Sequence, residues 1–403
     1  MSLLTYKKQF DNAYQEVFQK ALVAKVIMNT RFESVLKYGA SIERASYDIS
    51  GVRVRTVTRG AASTIDGITD TSELLTVNLE KEAVFYISDG EATQTGPLNP
   101  GEEIGKQVGI KVAIDLDGRC FAEVLNALYA FDTGDLTTTA SNGTPIILSA
   151  TTVPQMVSRM GAKLRARNNQ EIMTNMALVV DSYAAGDVVQ YLLGKNIDLA
   201  GAVFKNGYTG DVSNAQLFIS ENLTGTAVLS SAQTPSDGDT VVIGGVIFTF
   251  NTTLSTNPGS VLISGSADAA RANLTALVNA PGTTTTLGTA VSAANQLVIT
   301  DALKLVATND NTADTMTIVG TGSGRLVLAG TLTNTNNTWS KNYISAYFGK
   351  KGAIDLVVQD LSPVDMRPTT DRRGVNVFSS YLAGLKTFSD GAKKFLQVKI
   401  SAF

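Results

Sequence analysis

Residues 97–131 read PLNPGEEIGKQVGIKVAIDLDGRCFAEVLNALYAF, and their pattern decides how the chain is read. Pro97, Asn99, Pro100 and Gly101 open the stretch, and Glu102 and Glu103 follow in a first turn, where the helix dipole favours negative charge. Ile104, Val108, Val112, Leu116, Cys120, Val124 and Leu128 then recur every four residues, and Ile110, Ile114, Phe121 and Leu125 widen the stripe. This spacing predicts an amphipathic helix over 97–131. Some thirty residues at about 1.5 Å each give roughly 45 Å, long enough for a strut. An extended segment precedes it and a compact mixed region follows it. That is a shape suited to assembly.

Composition narrows the chemistry. The chain has 403 residues, enough for two or three domains, and its net charge of −3 implies no bulk attraction to nucleic acid or anionic membrane. It contains no histidine, which removes His-based acid/base catalysis, Ser-His and Cys-His nucleophiles and His-ligated zinc. One cysteine allows neither an intrachain disulfide nor a multi-Cys metal site. The first ten residues, MSLLTYKKQF, lack the apolar run of a signal peptide, and nowhere do eighteen apolar residues follow one another. The expectation is a soluble protein made in a cytoplasm.

Upstream of the stripe, Phe10, Ala13, Tyr14, Val17, Phe18, Ala21 and Leu22 predict an N-terminal helix over Leu3 to Lys25 within an arm spanning 1–45. A short helix or ordered connector follows through Tyr38. Alternation then takes over. Tyr47, Ile49, Val52, Val54 and Val57 form one run, and Leu75, Val77, Leu79, Val84, Phe85 and Ile87 the return, so 46–96 reads as a long hairpin with a polar tip. No neighbouring segment of the chain offers it an obvious cover, which makes another subunit the natural candidate.

After the stripe, Asp132 to Val153 reads as a loop or edge element, and Pro154 to Ala166 as a helix with Met156, Val157, Met160 and Leu164 on one face. Met176 to Val180 predicts a buried strand, Ser182 or Asp187 a helix start, and Ala215 to Ser220 a second strand. These make 132–222 an α/β body. At Asn222 the composition breaks. From Thr224 to Thr338 glutamate is absent, and six aspartates face only Arg271, Lys304 and Arg325. Thr240 to Ile243, the Gly244-Gly245 turn and Val246 to Phe250 give a strong hairpin signal. Ser266 is a helix N-cap that would turn Ala270, Leu274, Leu277 and Val278 inward. Further strands are expected at Gln296 to Thr300, Leu303 to Ala307, Met316 to Val319 and Leu326 to Ala329. The segment 223–338 thus reads as an inserted, mostly β domain. From Trp339 the charged composition returns, with a strand or short helix at Ala353 to Gln359. A charged loop runs from Pro363 to Arg373, and closing strands fall at Val375 to Phe388 and Phe395 to Ile400 around Ser389-Asp390-Gly391.

Candidate chemical sites are weak. Cys120 falls on the apolar stripe as a small buried residue. Gly320-Thr321-Gly322-Ser323-Gly324-Arg325 lacks the lysine and following helix of a phosphate loop and reads as a turn. Asp115 and Asp117, two apart on a helix, face different sides. Asp310 and Asp314 lie in polar loops without calcium-loop spacing. No catalytic, cofactor-binding or metal residue is assigned, and no enzyme activity is expected.

The order of parts, an α+β chain of arm, long hairpin, long helix, α/β body, insertion and closing β segment, resembles the major capsid proteins of tailed bacteriophages with the HK97-type fold. Within them it is most similar to the P22-like branch carrying an inserted domain. Phe85-Tyr86-Ile87-Ser88-Asp89 leading into Glu102-Glu103-Ile104-Gly105, Asn206-Gly207-Tyr208-Thr209-Gly210 with Leu217 to Asn222, and Arg367 to Ile400 carry the resemblance. Gly238-Asp239-Thr240 through Phe250, with Ala269 to Asn279, also looks like small domains that recur in phage virion proteins. The resemblance implies an extended loop at Ser46 to Ser88 lying over an adjacent subunit, a spine helix at Pro97 to Phe131, and peripheral and axial domains in 132–222 and 339–403. It further implies homo-hexamers and pentamers closing an icosahedral shell around dsDNA contacted without sequence readout. Scaffolding, portal and decoration proteins would be partners, no membrane would be involved, and the assembled chain would reside in the virion head after assembly in the host cytoplasm. Lys81 is a conceivable crosslink donor, but no acceptor or activating acid is identifiable, so no crosslink is assigned. An encapsulin-like compartment shell protein and a phage tail or surface adhesin are the alternatives.

Overall fold

The computed structural model describes residues 22–36, 40–48, 52–56, 59, 65–88, 100–137, 142–167, 174–193, 211–212, 215–368 and 373–402. The expected N-terminal helix falls almost wholly outside them, as do Gly194 and Asn206 to Gly210. The described residues form two compact units. One holds 25–112 and 351–393; the other holds 22–24, 113–350 and 394–402. In chain order the strands begin with β1 (Ser41–Asp48), β2 (Thr69–Thr76), β3 (Leu79–Ser88), β4 (Tyr129–Phe131), β5 (Met176–Val180), β6 (Asp211–Val212), β7 (Ala215–Ile219) and β8 (Thr224–Ser231). They continue with β9 (Thr240–Ile243), β10 (Val246–Asn251), β11 (Ser260–Leu262), β12 (Leu305–Asp310), β13 (Thr315–Gly320), β14 (Leu328–Thr331), β15 (Asn337–Lys350), β16 (Asp355–Pro368), β17 (Gly374–Lys386) and β18 (Phe395–Ser401).

The long helix exists but is shorter than expected. It spans Pro100–Ala122, about 34 Å at 1.5 Å per residue, and gives way to a 3-10 turn at Glu123–Asn126 and then to β4. Strand β4 pairs in parallel with β18, Leu396 opposite Tyr129 and Val398 opposite Phe131, so these backbone groups find partners 267 residues away. Val112, Leu116, Cys120, Phe121 and Val124 are buried as the stripe requires, whereas Ile110, Ile114, Leu125 and Leu128 are exposed.

In the first unit the expected hairpin is replaced by two pairings. β1 and β2 run antiparallel from Ser41 opposite Thr76 to Asp48 opposite Thr69. β3 leaves that ribbon and pairs instead with β17 over ten consecutive residues, in the sheet order β16-β17-β3. The return run is therefore split at Val77-Asn78, and the cover sought for it lies within the chain. The physical reason is a match of alternating faces: Lys81, Ala83 and Phe85 share a face with the buried Tyr381, Ser379 and Val377. Leu36, Leu75, Val357 and Phe388 form a small core beneath. The expected charged loop at Pro363 to Arg373 is also corrected, because β16 runs through to Pro368. A register shift between Ser362 and Asp365 lets the strand absorb Pro363, which has no N–H to give a ladder.

The second unit is built on β15, fourteen residues long, which pairs with β8, β5 and β18. Among the described residues its sheet runs β12-β13-β8-β15-β5-β7-β6, with β18 on β15 and β4 on β18. β5, buried at every position, pairs in parallel with β7, and their connection includes the expected helix at Ser182–Leu193. The helix at Thr152–Arg167 buries Met156, Met160 and Leu164 as expected, with Val157 partly buried.

In 224–338 the hairpin β9–β10 turns at Gly244-Gly245, with Ile243 opposite Val246 as its sequence demands. The helix Ala267–Asn279 follows Ser266, whose hydroxyl accepts from the Ala269 N–H at 3.1 Å. The strand expected at Gln296 to Thr300 is instead a helix, Ala293–Leu297, continuing into a π turn at Val298–Ala302. Ser292 caps it by accepting from the Asn295 N–H, a local bond that outweighs the weak β signal of the three-residue apolar run Leu297-Val298-Ile299. Phe248, Phe250, Leu274, Leu277, Val278, Met316 and Ile318 share one core. The sheet continues across the composition break, since Gly225 of β8 lies opposite Ile344 of β15.

Arg271 is fully buried in this core. Its guanidinium donates to the Ser231 carbonyl, to Asn309 Oδ1 at 3.1 Å, to Asp268 and to Asp314 Oδ1 at 3.2 Å. Its spacing to Leu274 and Val278, three and seven residues on, places it on the inward stripe. Because both aspartates are half-exposed, their ion pairs are screened, and the cost of losing Arg271 lies in packing and in the stranded Ser231 carbonyl. Arg271→Ala is expected to lower unfolding free energy by roughly 2–4 kcal/mol, read from the urea midpoint.

Candidate assembly surface

Among the described residues, five large apolar side chains left in water lie within 52–74 of the first unit, a hairpin arm distinct from the N-terminal arm of 1–45. Residues 52–56, VRVRT, are all exposed, and Val54 is 104% and Ile65 93% exposed. Val52, Ile68 and Leu74 are exposed as well. Asp66 ties the two sides of the arm together. Its carboxylate accepts from the Arg53 N–H at 2.8 Å and from Arg55 Nη2 at 2.6 Å. These bonds, the Arg53 amide first, hold the Asp66 carboxyl below its ordinary range. These bonds tie Arg53 and Arg55 to Asp66, while Val52, Val54, Ile65 and Ile68 are left exposed. Burying five such side chains against a partner would contribute on the order of 5–10 kcal/mol before association costs.

The other residues singled out from sequence have structural roles. Cys120 is fully buried, and burial raises its thiol well above the ordinary value, an environment in which thiols are inert. Asp115 and Asp117 do face different sides. Asp115 pairs with Arg119 at 3.0 Å and with Lys304, whereas Asp117 is buried and accepts from the Val23 and Ala24 N–H groups at 3.1 and 3.0 Å. The glycine-rich run 320–325 is a turn. Gly322, at φ +66°, passes so close to Gly118 that a Cβ on it would sit 2.8 Å from the Gly118 Cα. Arg325 then reaches the buried Asp181, Nε to Oδ2 at 2.5 Å, and the Ser401 carbonyl at 3.2 Å. Asp310 accepts from the Thr312 and Ala313 N–H groups, and Asp314 is held by Arg271. Lys81 is exposed on β3, opposite Tyr381. Among the described residues no cluster of three or more Cys, Asp or Glu has the geometry to hold a metal ion, and no helix is long and apolar enough to cross a membrane.

Burial, the largest cause, lifts the Asp117 carboxyl to about 6, against the pull of the Ala24 and Val23 N–H groups and the Asn222 side chain. The folded chain then keeps a proton that the unfolded chain releases near pH 4. Stability from this group is present below the unfolded value and is lost as pH rises through about 6. The stability difference between wild type and Asp117→Asn is expected to shift by on the order of 1 kcal/mol in favour of wild type between pH 7 and pH 5, measured by urea titration.

No protein-family model and no curated protein matches the chain. Among solved structures it is similar to a chain of Mycobacterium phage Che8, at 12% identity and a TM-score of 0.46, covering 93% of this chain and 90% of that one. It is similar to the capsid of Cyanophage P-SCSP1u, at 10% identity and a TM-score of 0.43, over 90% and 84% of the two chains. It is likewise similar to the mature capsid of bacteriophage PhiM1, at 11% identity and a TM-score of 0.43, over 90% and 82%.

Proposed function

We propose that this chain is the major capsid protein of a tailed bacteriophage, a structural shell subunit of HK97-type fold rather than an enzyme. The observation that carries the reading is the arm: ordered by Asp66, exposed on both sides, and apolar at Val54 and Ile65 where a monomer has no use for such surface. Strands β1–β3 correspond to the extended loop, Pro100–Ala122 to the spine helix, and the sheet around β15 to the body. Copies assemble into hexamers and pentamers that close an icosahedral head around dsDNA, with scaffolding, portal and decoration proteins as partners.

The test is negative-stain electron microscopy with sedimentation of the purified chain, with and without a scaffolding protein. Closed shells, rings or sheets of capsomer size are expected. A stable monomer or small dimer under every condition would sink the reading. The segment 223–338 is proposed as an inserted domain facing outward, so antibodies raised against it are expected to decorate intact particles.

A further inference from the structure

The segment 224–338 supplies three outermost strands among the described residues: β11 and β14 at the two ends of one sheet, and β12 at the end of the other. An outermost strand offers its free N–H and C=O groups to any other chain, and proteins commonly blunt such edges with lysine. This segment has only three cationic side chains, and all are engaged elsewhere: Arg271 in the core, Lys304 on Asp115 and Arg325 on Asp181. Hydrogen bonds close the edges instead. Along β11 the Leu262 N–H donates to the Leu287 carbonyl at 2.9 Å, and the Thr289 N–H to the Ser260 carbonyl at 2.8 Å. On β14 the Trp339 indole N–H donates to the Ala329 carbonyl at 3.0 Å. On β12 one side chain takes both groups of one residue. The Ala307 N–H donates to Asn279 Oδ1 at 2.8 Å, and Asn279 Nδ2 donates to the Ala307 carbonyl at 2.9 Å.

We propose that Asn279 guards the β12 edge, and that without its amide a second copy of this chain adds to that edge through its own β12. Asparagine is a poor helix former, yet Asn279 is the last residue of the helix Ala267–Asn279, where its amide imitates the pairing residue of a neighbouring strand. The rest of β12 suits strand addition. Leu305 and Ala307 are buried on one face, while Val306, 58% exposed, and Thr308 lie in water on the other. Two copies would meet antiparallel with Ala307 opposite Ala307, because both backbone groups of Ala307 point away from β13 and could be exchanged as a hydrogen-bonded pair. That register sets Val306 opposite Thr308 on both sides of the centre, two β-branched pairs on the exposed face. It also sets Asp310 opposite Lys304, so no like charges oppose each other. The guard acts on the single chain and does not depend on the shell reading. In a shell of the proposed kind with 223–338 facing outward, one open edge per copy would join particle to particle through many contacts at once.

The experiment compares wild type, Asn279→Ala, and Asn279→Ala combined with Val306→Lys, each as the purified full chain, by sedimentation velocity and light scattering. Asn279→Ala is expected to associate beyond the wild-type size, whether that is a subunit or a particle, at a concentration at least tenfold lower. Val306→Lys places a charge beside the centre of the pairing at an exposed position, and is expected to restore the wild-type behaviour. A folded Asn279→Ala chain that associates no more than wild type overturns the guard. Association that Val306→Lys leaves unchanged overturns it too, since a loosened helix rather than an open edge would then be the cause. Where Asn279→Ala leaves no folded chain, hydrogen exchange on the wild type decides. The Ala307 amide is expected to be protected like the paired amides of β13, and exchange at the rate of an unpaired amide overturns the proposal.

Discussion

Replacing both Val54 and Ile65 with aspartate is expected to abolish the proposed particles while leaving the subunit itself folded. Both side chains are almost wholly in water, so nothing in the fold depends on them, and exposed substitutions of this kind shift stability by no more than about 0.5 kcal/mol. For a chain of this size that is roughly 1 °C in melting temperature. In an assembled shell the same two positions would each lose about 1.5–3 kcal/mol of apolar burial and acquire a desolvated carboxylate. In a closed particle of the proposed kind each interface would repeat, so the loss would multiply with every copy. Sedimentation velocity and calorimetry on the same preparation separate the two effects. An unchanged particle yield would remove the arm from the assembly mechanism.

Gly349→Ala is expected to do the reverse and destroy the subunit. Gly349 lies on β15 opposite Phe395 of β18, at the strand that holds the second unit together. A Cβ at this position would stand 2.2 Å from the Phe395 Cβ, 2.5 Å from its Cα and 2.7 Å from the Lys394 carbonyl oxygen. Two of these are main-chain atoms, which cannot swing aside, so β18 would have to separate from β15. Phe348, Phe395, Leu396 and Val398, all fully buried, sit at that seam. The cost should exceed the roughly 1–3 kcal/mol of ordinary overpacking and take up much of a stability that is commonly about 5–15 kcal/mol. Loss of soluble protein, or a collapse of the urea midpoint, is the expected outcome. A wild-type midpoint would mean that β18 can shift at little expense.

Where the signal was local, the chain could be read closely. Ser266 with Ala270, Leu274 and Leu277 fixed a helix and its first residue, because a cap and a stripe three to four residues apart act within one turn. Gly244-Gly245 fixed a hairpin because both residues take positive φ there, 60° and 85°, which side chains resist. The 97–131 stripe identified the long helix but overran its end, since Tyr129–Phe131 keeps an apolar pattern equally suited to a short strand. The candidate surface was legible only as alternation at Val52 and Val54; nothing nearby indicated Ile65, whose exposure is a result of folding.

Residue type and spacing within a turn or two were enough for the helices at Thr152–Arg167, Ser182–Leu193 and Ala267–Asn279 and for the tight β9–β10 hairpin, but not for the helix at Ala293–Leu297 or for the end of the long helix. That β3 belongs with β17 rather than with β1, that Phe131 ends in a strand beside Val398, and that Arg271 is buried are outcomes of folding that no local pattern announces. Strand pairing is a choice among distant edges with similar alternation. The segment that wins is the one whose buried face and backbone partners match across hundreds of residues, and no local window contains that information.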